Sequence, residues 1–299
     1  MKIWMIIGFA MILLGLIVFT VIMFINHWDF SKLSTVKYVT NTHKIDEAVT
    51  SISINTNTGD IVLVPSDSNL CQVVCQEEEK VFHSVTMEDG CLKVQVQNQR
   101  KWYEYIGINI GHPKITITLP RSTYEALTVQ NSTGHVDLPG DFSFRKIDIR
   151  STTGQVKCFA SATDSLKIQV STGDIQVKNL SAGELSLQVS TGQVTLADVT
   201  CNRLTSTGNT GDINLNNVLV SKELSITRST GDVKLTRCDA ETLDIKTNTG
   251  DVTGSLLTGK VFFTQTGTGR IKVPQSTTGG QCQVSTSTGN IKFEILQDS

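Results

Sequence analysis

The chain is poor in most of the residues that carry chemistry. Charged residues are only 18% of its 299, and 28 acidic against 26 basic side chains leave a net charge of −2. No basic block or stripe stands out, which argues against a nucleic-acid partner. Five prolines exclude a proline-rich stalk. The seven cysteines (Cys71, Cys75, Cys91, Cys158, Cys201, Cys238 and Cys282) are odd in number and show no zinc-ligand spacing. On one strand, Cys71 and Cys75 would lie about 13 Å apart, too far to bridge each other. The cysteines therefore read as small buried apolar residues, with a disulfide from Cys91 to Cys71 or Cys75 as the alternative. The histidines His27, His43, His83, His112 and His135 form no pair at metal-ligand spacing. No nucleophile elbow, P-loop or dinucleotide fingerprint occurs. We expect no catalytic residue and no cofactor.

One long apolar run is present. Ile3 to Ile25 carries no charge, and Thr20 is its only clearly polar member. As a helix it would span roughly 34 Å, slightly more than the hydrocarbon core of a bilayer. It exceeds the apolar region of a cleaved signal peptide, and the exit Phe24-Ile25-Asn26-His27-Trp28 has no small-residue cleavage site. Trp4 and Trp28 flank it, where interfacial indoles belong. Residues 1–28 are read as a single-pass transmembrane anchor. Lys32, Lys37 and Lys44 lean towards a cytoplasmic body. A very short N-terminus before a long β domain is the layout of a signal anchor that exports its body. The expectation is a cell-membrane protein with an extracytoplasmic body, joined by a polar tether at 29–48.

The rest is repetitive. Gly59, Gly134, Gly154, Gly173, Gly192, Gly211, Gly231, Gly250, Gly269 and Gly289 each follow a Thr, and each is followed two residues later by Ile or Val. From Gly134 the spacing is 19 or 20. Four residues after the glycine the chain is usually apolar, Gly254 being the clear exception. Positions seven and five before it are apolar too, as in Leu166/Ile168 and Leu224/Ile226. These are two short period-2 strands flanking a turn that resets the register. The fold class is therefore all-β. The period is too short for helical repeats and suits a single-stranded-type β-solenoid (β-helix) of about 19–20 residues per coil. Nine coils from Gly134 to Gly289, over residues 131–299, would make a rod roughly 40 Å long. The gap from Gly59 to Gly134 is 75, close to four periods, so degenerate coils are expected there. Residues 49–130 read as irregular β structure starting and capping the solenoid, with strands at 51–55, 72–76, 81–87, 91–97 and 114–119 and a hairpin turn at Glu88-Asp89-Gly90.

The recurring [Ser/Asn]-Thr-Gly-[Asp/Gln/Asn]-[Ile/Val] motif after an N-terminal anchor, with Ile-x-Ile-x-Leu-Pro at Ile115–Pro120, resembles the bacterial "putative adhesin" family of β-strand-repeat domains of unknown function. The resemblance covers roughly residues 50–295. It implies a bacterial envelope protein, an adhesin or an accessory of envelope-stress signalling acting through a membrane partner. It supplies no catalytic residue.

Two sets of residues qualify as candidate sites. Asp212, Asp232 and Asp251 follow the glycine on successive coils, so stacking brings their carboxylates about 5 Å apart, where they repel unless a cation such as Ca²⁺ intervenes. His135, Gln155, Gln193, Arg270 and Asn290 occupy the same position elsewhere, which favours a role in turn geometry. With Arg228 the three Asp residues also define the weakest reading, a glycan-cleaving β-helix enzyme. Uniform short coils leave no loops to build its cleft. Trp102, Tyr103 and Tyr105 form the only aromatic cluster outside the anchor, in a loop or hairpin tip suited to contacting a surface glycan or protein, capping the solenoid or lying on the membrane.

Overall fold

The computed structural model describes residues 2–29, 36–105 and 111–296. A helix at Lys2–Ile25 is followed by one continuous 21-stranded sheet wound into a solenoid. The strands of successive coils pair in parallel. Leu166, Ile168 and Val170, for example, stand opposite Leu185, Leu187 and Val189. Stacking merges the inward rows into one core of Ile, Leu and Val, which no single coil can bury alone.

The regular coils have three faces, one more than the two strands read around each glycine. In the Gly173 coil the buried residues are Leu166, Ile168 and Val170 before the glycine, Ile175 and Val177 after it, and then Leu180 and Ala182. The alternation slips by one residue at the glycine and again between Val177 and Leu180. That second corner holds a left-handed residue, Asn179, Asp198, Asn217 and Arg237 in successive coils, with φ of 52–54°. Asn and Asp tolerate this conformation best among residues with a Cβ. A third slip follows the third face, marked by a register shift such as that between Cys201 and Arg203.

The glycine turn is held by the stack itself. Each of these glycines has φ between +125° and +155°. A Cβ on Gly192 would collide with the carbonyl of Gly173 in the preceding coil, and the same collision recurs along the column. Glycine is required here for conformation and for space.

The coil order departs from the chain order at both ends. The Gly59 coil, made of β2 (Ser51–Thr58) and β3 (Asp60–Ser66), packs directly on the Gly134 coil. The 75-residue gap is therefore not filled with coils between them. It folds outward as the cap, in which β6 (Cys91–Asn98) and β7 (Lys114–Pro120) cover the outer side of β2 and β3. Antiparallel strands then finish the edge: β4 (Cys71–Glu78) on β7, β5 (Val81–Glu88) on β6, and β1 (Tyr38–Ile45) on β4. The hairpin turn is confirmed, with Asp89 and Gly90 both at positive φ. β1 lies within the segment read as a tether, so 38–45 belong to the folded cap. Its side chains are mostly exposed, and without a buried alternating row it carries no strand signal.

At the other end the strand Gly280–Thr288 pairs with Val233–Thr249 on one side and Lys260–Thr268 on the other. The Gly289 coil is thus inserted between the Gly250 and Gly269 coils. This explains the exception at Gly254. Its partner is Phe293, and a Cβ on Gly254 would strike the Phe293 ring.

Candidate functional site

The turn aspartates have a structural task. Asp232 N–H donates to Asp212 Oδ1 (2.9 Å), Asp251 N–H to Asp232 Oδ1 (2.8 Å) and Asn290 N–H to Asp251 Oδ1 (2.7 Å). Asp174 receives Gln193 N–H, His135 Nδ1 receives Gln155 N–H, and Asn290 Oδ1 receives Arg270 N–H. At Asp60, His135, Asp174, Asp212, Asp232, Asp251 and Asn290 the residue after the glycine thus presents a side-chain acceptor to the main chain of the neighbouring coil. This arrangement overrides the repelling carboxylate stack, because an N–H lies between successive carboxylates. It also favours turn geometry over a cation site. Arg228 is not in a groove with these residues. It is 2% exposed and points inward through the space left by Gly208 to the Val189 carbonyl (3.1 Å). Its Nε and Nη2 meet no protein acceptor. Burial pulls its pKa down, opposed by Asp212.

All seven cysteines are free, so no disulfide joins Cys91 to Cys71 or Cys75. Burial holds the thiols protonated, with Cys158 and Cys201 pushed up to about 12. Burial first, then the Glu77 charge, pushes Cys75 up to about 12. Cys75, Glu77 and His83 bring their ligand atoms within 4.8 Å of one another, a convergence that spacing along the chain hides. The polar atoms of Glu77 and His83 are already engaged. Glu77 Oε2 accepts from His83 N–H and lies 2.7 Å from Nδ1, Asn41 Nδ2 donates to Glu77 Oε1, and His83 Nε2 is 2.8 Å from Thr56 Oγ1. The cluster ties β1, β4 and β5 to the Gly59 coil.

The polar concavity lies on the first face. Asn55, Gln130, Arg150, Gln169 and Gln188 stand opposite one another across five consecutive coils. Ser132, Thr152, Ser171 and Ser190 run beside them, and together they line a shallow groove of about 500 Å³. Gln169 Nε2 donates to Gln188 Oε1 (2.8 Å), and Asp148 holds the Arg150 guanidinium through two contacts of 3.0 and 3.2 Å. Beneath them Asn131 and Ser151 are buried, and Asn131 Oδ1 and Ser151 Oγ have no protein partner. Buried polar atoms without a partner are costly, and these two lie under the groove floor, while the accessible hydrogen-bonding groups of the groove are the amides and hydroxyls above them. The row was legible as Gln130, Arg150, Gln169 and Gln188, each four residues before its glycine.

Trp102, Tyr103 and Tyr105 lie in a 3₁₀ turn, Trp102–Tyr105, which follows β6 in the cap and does not line this groove. They are 80%, 49% and 58% exposed.

The fold defines a class: a capped parallel β-solenoid preceded by one helix long and apolar enough to cross a membrane. The chain belongs to the Toastrack DUF4097 family, whose model matches residues 49–294. Among solved structures, a "putative adhesin" from Parabacteroides distasonis is similar at 12% identity and TM-score 0.53, over 87% of this chain and 98% of that one. A "putative adhesin" from Bacteroides fragilis aligns at 15% identity and TM-score 0.49, over 86% and 97%. A "putative lipid binding protein" from Parabacteroides distasonis aligns at 16% and 0.48, over 88% and 98%. No curated protein matches the sequence.

Proposed function

We propose that the chain is a non-enzymatic, membrane-anchored envelope protein whose solenoid stands outside the cell and binds an extended, hydrated polymer such as a surface glycan. The observation that carries this reading is the exposed amide and hydroxyl ladder from Asn55 to Gln188 along one face of five consecutive coils. Side-chain amides both donate and accept, as sugar hydroxyls require. Coils repeat every 4.7–4.9 Å or so, which suits a ligand with a short repeat along the rod. Many weak equivalent contacts add up to useful avidity. Membership of the family, and a fold shared with the Parabacteroides distasonis "putative adhesin", support an envelope role. The apolar helix Ile3–Ile25 supports the anchor.

The test has two arms. Protease shaving of intact cells carrying a C-terminal epitope tag should remove the tag without lysis; a tag protected until lysis rejects the exported body. The full chain in lipid vesicles should sediment with soluble cell-envelope polysaccharides. Replacing Gln130, Gln169 and Gln188 together by Ala should abolish that binding with the melting temperature unchanged. Equal binding by the variant places the ligand elsewhere.

A further inference from the structure

We propose that the aromatic turn Trp102–Tyr105 docks the capped end of the solenoid onto the headgroup layer of the membrane that its own N-terminal helix spans. This rests on reading that helix as an anchor. The first observation is that the rings are presented, not packed. Trp102 is 80% exposed, and meets Tyr103 edge-to-face at 5.9 Å. Asn98 Nδ2 donates to the Tyr105 hydroxyl (2.8 Å), and the Arg100 guanidinium sits 5.7 Å from the Tyr105 ring centre. Glu104 fastens the turn by accepting from Lys101 N–H (2.9 Å) and pairing with Lys80. A rigid, exposed aromatic patch loses little conformational freedom on binding.

The second observation is position. The turn and the entry of the chain into the fold share one cleft of about 310 Å³, lined by Val36, Lys37, Lys80, Arg100 and Glu104. Glu79 N–H donates to the Lys37 carbonyl (3.0 Å), pinning that entry. The helix terminates in a turn closed by Trp28 N–H on the Met23 carbonyl. Seven peptide steps from Asp29 to Val36 reach at most about 25 Å. The cap is therefore confined close to the bilayer whatever path those residues take, and such confinement makes a weak contact effective.

The chemistry matches the headgroup layer. Indole and phenol rings prefer the membrane interface, with an apolar body and a polar edge. Lys37, Lys80, Arg100 and Lys101 are offset by Glu78, Glu79 and Glu104, so the rings and not net charge drive the contact. Docking should depend only weakly on salt. The Gly269 coil then becomes the membrane-distal end.

Tryptophan fluorescence of the full chain in phosphatidylcholine vesicles tests this, using lipids brominated near the top of the acyl chain. One variant, Trp4→Phe with Trp28→Phe, leaves Trp102 as the only indole. A second, Trp4→Phe with Trp102→Phe, leaves Trp28. Loss of fluorescence in both supports docking. Quenching of Trp28 with Trp102 unaffected overturns docking while leaving the anchor intact. Quenching of neither removes the anchor and docking together.

Discussion

Asp232 accepts the main-chain N–H of Asp251 at 2.8 Å while its own N–H donates to Asp212 at 2.9 Å. A carboxylate on one coil is thus separated from the next by a donor. Asn290 does the same for Arg270 with no charge at all, so the acceptor matters and the charge does not. Asp232→Asn should change stability by less than about 0.5 kcal/mol, and Asp232→Ala should lose about 1 kcal/mol, the usual net value of one such bond. Denaturant titration checks both. Adding Ca²⁺ or EDTA should leave the melting temperature unchanged; a clear rise with Ca²⁺ would restore the cation reading.

Gly192→Ala forces a Cβ into the Gly173 carbonyl at φ +147°. Strain and collision act together, so the loss should exceed about 3 kcal/mol. Gly140→Ala, whose Cβ would meet ordinary contacts at 3.4 Å and beyond, is the control and should stay within about 1 kcal/mol of the parent. Thermal unfolding separates the two.

Arg228 buries a cation with two unpartnered nitrogens. Replacing such a group with an apolar side chain of similar length is often neutral or stabilising. Arg228→Met should unfold at the same or higher denaturant concentration. Arg228→Ala leaves a void beside Gly208 and should cost about 2 kcal/mol or more relative to Met.

The buried thiols give the fold an alkaline limit. Their folded pKa values lie above the unfolded value, at about 11 for Cys71 and Cys238 and about 12 for Cys75, Cys158, Cys201 and Cys282. Below about pH 9 both states are protonated and stability is unaffected. Above it the unfolded chain releases protons that the folded one keeps. Stability then falls by on the order of 1 kcal/mol per thiol per pH unit, until the folded pKa is reached. The denaturant midpoint should be flat from pH 6 to 8 and drop steeply by pH 10. A midpoint unchanged at pH 10 would contradict this burial.

Removing residues 280–299 should do more than shorten the rod. Lys260–Thr268 pairs with Gly280–Thr288, so truncation leaves the strand with no neighbour. Limited proteolysis with mass spectrometry should then cut throughout 257–279, while the intact chain resists.

Much of this was legible along the chain. The Thr-Gly spacing and the parity of Ile and Val around it specify the coil, because a solenoid repeats one local conformation and every rung states the same rule. Asn179, Asp198 and Asn217 also repeated at 19 residues. Their corner was missed because Asn and Asp are equally ordinary in solvated turns. Trp102, Tyr103 and Tyr105 were visible as exposed aromatics. Their nearness to the tether's entry was not, since β1 pairs with β4 between residues 26 to 40 apart in the chain and its exposed side chains leave no pattern to follow.

The amino-acid sequence by itself determined the apolar helix, the all-β class, the coil length and the glycine at each turn, all of which follow from short-range sterics and periodic burial. Only the tertiary structure decided the order of the coils. Parallel strands of one repeat can pair with any sibling at almost equal energy, so local pattern cannot choose between neighbours. The choice is made by unique long-range fits: Phe293 into the space above Gly254, and the Glu77–His83–Thr56 network tying the cap to the Gly59 coil.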